Sequence, residues 1–76
     1  MAKILIVEDD LDIQELLQNF LQEAGYEVSI ANDGVEAVSL FSTAHYDLIL
    51  LDVMLPKIDG FTVCELIRKQ SQIPII

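Results

Sequence analysis

Two short runs of apolar residues constrain the fold of this chain more than any other feature of its sequence. Residues 4–7 and 48–51 are each four residues long, contain only leucine, isoleucine and valine, and are followed directly by an acidic residue. Uninterrupted apolar runs of this length are typical of strands that are buried on both faces, as in a parallel sheet with helices on either side. The sequence therefore predicts an α/β fold.

The stretch after the first run has the pattern of a helix followed by an edge strand. Its apolar residues recur at spacings of three and one, which places them on one stripe of a helix. Asp10 is the predicted N-cap, and Gly25 stands where a helix usually ends. Residues 27–31 alternate between polar and apolar, which predicts a half-exposed strand at a sheet edge. The members of the helical stripe are Ile13, Leu16, Leu17, Phe20, Leu21 and Ala24.

Two more helices are predicted farther along the chain. Asp33 with Glu36 three residues later resembles a capping box, which marks a helix start, and Gly60 opens the third helix. Residues 73–76 begin a fourth strand. Because strands and helices alternate with short connections, a parallel sheet with right-handed crossovers is expected. Inward positions are expected at Val35, Ala37, Val38, Leu40 and Phe41 in the second helix and at Phe61, Cys64, Leu66 and Ile67 in the third.

Length and charge limit the possible functions. A chain of 76 residues forms one domain at most, and its 53% hydrophobic content argues against disorder. Thirteen acidic residues against four basic ones give a net charge of −9, which disfavours nonspecific binding to nucleic acid or anionic membranes and favours cations. No apolar stretch approaches the ~20 residues of a membrane span. The single cysteine, Cys64, excludes an internal disulfide and fits a reduced, cytosolic setting.

Carboxylates follow both apolar runs at the point where each predicted strand ends. Glu8 and Asp9 follow the first run, and Asp52 follows the second. In an open parallel sheet ligands bind at the carboxyl ends of the strands, so these groups converge on one cleft if the two strands are neighbours. Clustered carboxylates repel one another, and a divalent cation such as Mg²⁺ would make the cluster tolerable. A carboxylate can also act as a nucleophile and form an acyl phosphate.

Other residues that could do chemistry have plainer interpretations. Asp10 fits helix capping. His45 is the only histidine, has no second ligand at metal spacing and is expected at the surface. Cys64 falls on the inner stripe of its helix, as a small core residue does, and Lys57 fits a solvated loop residue. The sequence contains neither a glycine-rich dinucleotide fingerprint nor a Walker A loop, which removes the standard nucleotide-binding loops.

Five blocks of the sequence, in order and at natural spacing, resemble the response-regulator receiver family. Each block alone is a weak signal, whereas the five together cover the chain. The resemblance implies a flavodoxin-like, doubly wound parallel sheet of five βα units in strand order 2-1-3-4-5. The blocks are Ile-Leu-Ile-Val-Glu-Asp-Asp at 4–10, Asp-Gly-Val-Glu-Ala at 33–37, Asp-Leu-Ile-Leu-Leu-Asp-Val-Met-Leu-Pro at 47–56, Asp-Gly-Phe at 59–61 and Ile-Pro-Ile-Ile at 73–76.

The same resemblance implies a phosphoacceptor site. Asp52 would receive a phosphoryl group from the phosphohistidine of a histidine kinase or from a small phosphodonor. Mg²⁺ would be held by Glu8, Asp9, Asp52 and the backbone carbonyl of Met54, with Asp9 the direct ligand and Glu8 acting more through water. The resemblance implies a phosphoacceptor domain rather than an enzyme, although family members assist their own phosphorylation and dephosphorylation.

The chain departs from the family pattern at its end. The family also has a Ser or Thr after its fourth strand, a Lys after its fifth and an aromatic switch residue, and the sequence stops before all three. Residues 1–76 are therefore interpreted as the N-terminal portion of one receiver domain, with a partial sheet of order 2-1-3-4 and the fifth βα unit missing. The parent protein is expected to be a cytoplasmic regulator with a histidine kinase partner and an output domain that acts on transcription. No contact with nucleic acid or membrane is expected through this segment.

Two other functions are weighed against this one. The first is a structural half-fold without phosphotransfer activity that forms a homodimer, because residues 48–51 and 73–76 would present an apolar flank and an open edge to a second copy. Because the Ser or Thr and the Lys that would contact the phosphoryl group are missing, phosphorylation of this 76-residue chain is itself expected to be weak or absent. The second is an aspartate-nucleophile phosphatase. The sequence disfavours it, because those enzymes typically have a second Asp two residues after the nucleophile, where this chain has Met54.

Overall fold

Strands and helices alternate along the computed structural model of the chain, which describes residues 2–51, 60–69 and 71–76. The two apolar runs form strands, and so does the alternating segment between them, so the three strands predicted from the hydrophobic pattern are confirmed. The elements are β1 Lys3–Val7, α1 Leu11–Glu23, β2 Glu27–Ala31, α2 Gly34–Thr43, β3 Leu48–Leu51 and α3 Gly60–Arg68.

The three strands form one parallel sheet in the order β2-β1-β3. Residues 73–76 continue the sheet beyond β3, where the Ile49 N–H donates to the Pro74 carbonyl at 3.0 Å and the Ile76 N–H donates to the Ile49 carbonyl at 2.9 Å. A parallel bridge between Ile49 and Ile75 marks the fourth position. The strand order therefore follows the predicted 2-1-3-4.

Local signals set the two ends of α1 as predicted. The Asp10 carboxylate accepts hydrogen bonds from the backbone N–H groups of Asp12 at 2.9 Å and Ile13 at 3.2 Å. These are two of the donors that a helix leaves without partners in its first turn. Beyond the other end, Gly25 has a φ of 95°, a left-handed conformation that glycine adopts without a Cβ penalty.

One side of the sheet holds the hydrophobic core. Leu5, Val7 and Ile49 point to this side, pack with α2 and α3, and are each at most 1% exposed. Because alternate strand residues face opposite sides of a sheet, Ile6 points the other way and lines a groove beside α1. The other buried members of the core cluster are Ala31, Ala37, Tyr46, Val63 and Ile67.

The inward faces of α2 and α3 differ in part from the predicted ones. Ala37 is fully buried as expected, but Val35 is 52% exposed, so the prediction for Val35 was wrong. The reason is geometric, because two residues separated by two positions lie about 200° apart around a helix and cannot both face inward. In α3 the buried pair is Val63 and Ile67, one turn apart, whereas Cys64 is only half-buried.

Candidate site at the carboxyl ends of the strands

The carboxyl ends of β1 and β3 lie side by side. The two strands pair in parallel, and their register sets Val7 beside Leu51, the last residue of each strand. From Val7 the chain continues into Glu8 and Asp9 at this edge of the sheet. Carboxylates that follow the two strands can converge only if the strands are neighbours and end at the same level of the sheet. The strands β1 and β3 meet this condition.

Hydrogen bonds hold the turn that follows β1. The Glu8 N–H donates to the Ala31 carbonyl at 3.1 Å, which continues the pairing of β1 with β2 one residue past the strand. The Asp10 N–H donates to Oε2 of Glu8 at 3.1 Å, while the Asp10 carboxylate caps α1. Asp9 is exposed, and its carboxylate accepts no hydrogen bond from the described part of the chain. The Asp9 carboxylate is therefore accessible from solvent at this edge of the sheet.

A buried amide supports this turn from α1. Gln14 is 7% exposed, and its Nε2 donates to the Glu8 carbonyl and, at 2.7 Å, to Oδ1 of Asn32. Asn32 in turn donates to Oε1 of Glu36, from Nδ2 at 3.1 Å and from its backbone N–H at 3.2 Å. A single chain of hydrogen bonds thus joins the acidic turn, α1 and the start of α2.

The hydrogen bonds at the start of α2 resemble those of the predicted capping box. Oδ1 of Asp33 accepts from the Glu36 N–H at 2.8 Å, as predicted. In the other half of the box, the Glu36 carboxylate accepts from the N–H of Asn32, one residue before the cap. Asn32 is consequently held by α2 on one side and by α1 on the other.

No sequence motif singles out Gln14 or Asn32. The signal that could have found Gln14 is its phase, because Leu17 and Leu21 follow it at spacings of three and seven and share its face of α1. That face is the half-buried one, whereas Phe20 on the predicted apolar stripe is 70% exposed. A polar residue at the head of the inward face, next to the strand ends, indicates a polar contact there.

The donor groups at this edge suit a hard divalent cation. Carboxylate and carbonyl oxygens are the ligands that Mg²⁺ takes in proteins, and Glu8 and Asp9 supply the former. Within residues 2–51, 60–69 and 71–76, no three His, Cys, Asp or Glu side chains lie close enough together to hold a metal ion. The predicted ligand set also needs Asp52 and the Met54 carbonyl, which lie outside the described residues. The residues that are described fit the chemistry of a Mg²⁺ site.

A separate polar cluster lies at the opposite ends of the strands. The His45 side chain is 83% exposed, which confirms its predicted surface position, and its Nε2 lies 3.3 Å from Oδ1 of Asp47. The Lys3 backbone N–H donates to Oδ2 of Asp47 at 2.8 Å. This hydrogen bond, with a smaller contribution from His45, holds the pKa of Asp47 below its ordinary value.

Among the described residues, no helix has the length and apolar content needed to cross a membrane.

Similarity to known sequences shows the family of this chain. The sequence profile of the response regulator receiver domain matches residues 4–76. The probable transcriptional regulator ycf27 of Cyanophora paradoxa is 50% identical over 74 residues, and the transcriptional regulatory protein YrkP of Bacillus subtilis is 49% identical over 74 residues. The matches cover 97% of this chain but only 31% and 32% of those relatives. The chain belongs to the response regulator receiver family.

Solved structures agree with this chain in fold. The response regulator TrrA of Thermotoga maritima, in complex with Mg²⁺ and BeF, matches with a TM-score of 0.92 and 43% identity over 99% of this chain and 66% of that one. The chemotaxis response regulator CheY4 of Vibrio cholerae matches with a TM-score of 0.95 and 42% identity over 99% and 65%. TrrA has also been solved in complex with the histidine kinase ThkA. The fold is a flavodoxin-like parallel α/β sheet.

Proposed function

We propose that this chain contributes the phosphoacceptor site of a response regulator. Asp52 accepts the phosphoryl group, and Mg²⁺ is held by Glu8, Asp9, Asp52 and the backbone carbonyl of Met54. The observation that supports this proposal most is the ending of β1 and β3 at one level of the sheet, with an anchored acidic turn at the end of β1.

The relatives support the partners that we assign. TrrA binds the histidine kinase ThkA in one structure and Mg²⁺ with BeF in another, and ycf27 and YrkP are named as transcriptional regulators. We assign to the parent protein of this segment a histidine kinase as phosphodonor, an output in transcription and a cytoplasmic location. The chain spans about a third of the curated relatives, so these assignments concern the longer protein.

The proposed chemistry is transfer of a phosphoryl group to a carboxylate. An oxygen of Asp52 attacks the phosphorus of a phosphohistidine, a P–O bond forms, the P–N bond breaks, and the electron pair leaves with the imidazole. Bound Mg²⁺ supplies positive charge next to the carboxylates and the transferred group. Asp9 keeps its carboxylate exposed for that cation. The chain is an acceptor in this reaction and has no separate substrate to turn over.

The proposal is tested by the intact mass of the 76-residue chain after incubation with Mg²⁺ and a small acyl phosphate. We expect a fraction of the chain to gain one phosphoryl group, and this gain should disappear in Asp52→Asn and when Mg²⁺ is omitted. Asp47→Asn, which removes an exposed carboxylate before β3, is the matched control and should still gain the group. A folded chain that gains no mass, or an adduct that persists in Asp52→Asn, would overturn the proposal.

A second candidate is a structural half-fold that self-associates. Exposed apolar side chains favour it, since Leu16 and Phe20 of α1 are 68% and 70% exposed and Ile76 at the outermost strand is 75% exposed. If the interface is the sheet edge, Ile76→Lys should abolish a dimer, whereas Phe20→Lys, an equally exposed site on α1, should not. Sedimentation equilibrium distinguishes the outcomes, and a monomer at every concentration would contradict self-association.

A further inference from the structure

Gln14 is the buried polar side chain of the described residues, and it contacts the candidate site. It is 7% exposed, and its half-buried neighbours on the same face of α1, Leu17 and Leu21, are apolar. An amide is costly to bury unless it is hydrogen-bonded. A leucine at this position would complete the apolar face equally well, so the amide is explained by its polar contacts.

The direction of these contacts is fixed by the groups at the two ends of the network. The Glu8 carbonyl can only accept, so the group of Gln14 that faces it must be the Nε2 donor. The Glu36 carboxylate also only accepts, so Nδ2 of Asn32 must face it. Oδ1 of Asn32 then remains to accept the second hydrogen of Gln14 Nε2. The arrangement has one consistent orientation for both amides.

The network holds the backbone of Glu8 from two sides. Its N–H donates to the Ala31 carbonyl of β2, and its carbonyl accepts from Gln14 of α1. The Glu8 carbonyl and the Asp9 N–H belong to the same planar peptide unit. Fixing the carbonyl therefore restricts the rotation of this unit, and with it the direction in which the Asp9 side chain leaves the backbone.

We propose that Gln14 is a positioning residue for the cation site, which it serves by holding the Glu8–Asp9 peptide in the orientation that points Asp9 toward the ligand. The inference rests on the proposed function, since it requires that Asp9 binds Mg²⁺. Asn32 and Glu36 extend the anchor to α2, so the acidic turn is held relative to both α1 and α2. Loss of the amide frees the peptide to rotate, and Asp9 occupies the ligating direction for a smaller fraction of the time.

The experiment is a titration of Mg²⁺ alone into the 76-residue chain, followed by the backbone amide signals in NMR spectra. Gln14→Met keeps an unbranched side chain and removes both donors. We expect its Mg²⁺ dissociation constant to rise about tenfold, the lower end of the usual effect of losing a group that orients a metal ligand. We also expect the Asp9 amide signal to shift before any Mg²⁺ is added.

Two control variants separate positioning from general stability. Gln22→Met makes the same change at an exposed position of α1 and should leave the dissociation constant unchanged. Ile67→Val removes a methylene from the core beneath α3, so it should lower the urea midpoint without weakening Mg²⁺ binding. If Gln14→Met does not fold, Asn32→Ala replaces it, because it removes the second hydrogen bond of the Gln14 amide and so loosens the amide that holds the Glu8 carbonyl.

The outcomes distinguish this inference from the function on which it rests. A folded wild-type chain that does not bind Mg²⁺ overturns the proposed function and the inference with it. A wild-type chain that binds Mg²⁺, together with a folded Gln14→Met chain that binds it equally well, overturns the inference alone. For Asn32→Ala we expect a loss of affinity of a few-fold, and an unchanged affinity would overturn the inference in the same way.

Discussion

The two faces of the sheet are built from the same apolar strands but are buried to different extents. On the face covered by α2 and α3, Leu5 and Ile49 are 0% exposed. On the face covered by α1, Ile6 of the central strand is equally buried, but Leu50 of β3 is only half-buried, and a groove of about 410 Å³ lies between α1 and the strands. In the described part of the chain, the central strand β1 is therefore buried on both faces, whereas β3 is buried more completely on the face that carries two helices.

This difference separates the part of the molecule that sets its stability from the part that is open to association. The face under α2 and α3 contains the closely packed contacts, which are the ones that respond most to loss of volume. The solvent-exposed side of α1 carries Leu16 and Phe20, which are apolar groups of the kind that mark interaction surfaces. The candidate site lies at the strand ends, where Gln14 ties it to α1 and Asn32 ties it to α2.

The largest expected effect comes from making the same substitution in the core and on the solvent-exposed side of α1. Leu5→Ala should lower the free energy of unfolding by about 2–5 kcal/mol, since it leaves a cavity in a fully buried site. Leu16→Ala should change it by less than about 0.5 kcal/mol, because that side chain is already in water. Urea unfolding followed by circular dichroism measures both. Equal losses at the two positions would show that the core and the exposed side of α1 do not differ in their contribution to stability as described.

A smaller effect on the free energy of unfolding is expected from the N-cap of α1. Asp10→Ala should lower the free energy of unfolding by about 1 kcal/mol, because the N–H groups of Asp12 and Ile13 lose their acceptor. Glu23→Ala at the other end of α1 is the control, and it should be neutral or slightly stabilising because it removes a negative charge from the helix C-terminus. The same urea experiment applies. A neutral Asp10→Ala would indicate that α1 contributes almost nothing to the stability of this chain.

The features that the sequence predicts well are the ones that depend on neighbouring residues. The three strands follow from four- and five-residue patterns, and the caps Asp10 and Asp33 follow from side chains that bond to the next turn. The pairing of β1 with β3, which brings the ends of both strands to one edge, follows instead from the strand order 2-1-3-4-5 that the family resemblance implies.

The features that the sequence does not predict depend on the phase of a helix or on contacts distant in the chain. In α1 both Leu17 and Phe20 are apolar, so the pattern alone does not say whether the side of the helix with Leu17 or the side with Phe20 packs on the sheet. Tyr46 is 2% exposed and stacks on Phe41 with 6.4 Å between ring centroids, but it lies in a connection without periodicity. Gln14 acts on Glu8 six residues away and on Asn32 eighteen residues away, and a polar residue in a helix gives no indication of such partners.

The smallest expected effect is the pH dependence of the stability that Asp47 contributes at the amino-terminal ends of the strands. The pKa of Asp47 is lowered in the folded chain, so its charged form stabilises the fold at pH values above the ordinary aspartate pKa of about 3.9. That contribution is lost as the pH falls through the lowered pKa. Asp47→Asn, which keeps an acceptor for the Lys3 N–H, should therefore be slightly less stable than wild type near neutral pH and equally stable in acid. Urea midpoints across this range test it, and a gap that does not close in acid would contradict the assignment.

The most direct test of the site is the Mg²⁺ affinity of Asp9→Asn beside that of Asp12→Asn. Both variants remove one exposed carboxylate near the start of α1 and change the net charge equally, but only Asp9 lies at the strand ends. We expect Asp9→Asn to abolish measurable binding and Asp12→Asn to weaken it no more than a change in distant charge does. Equal affinities in the two variants would mean that the acidic turn attracts cations only through its overall charge, and that the strand ends are not a metal site.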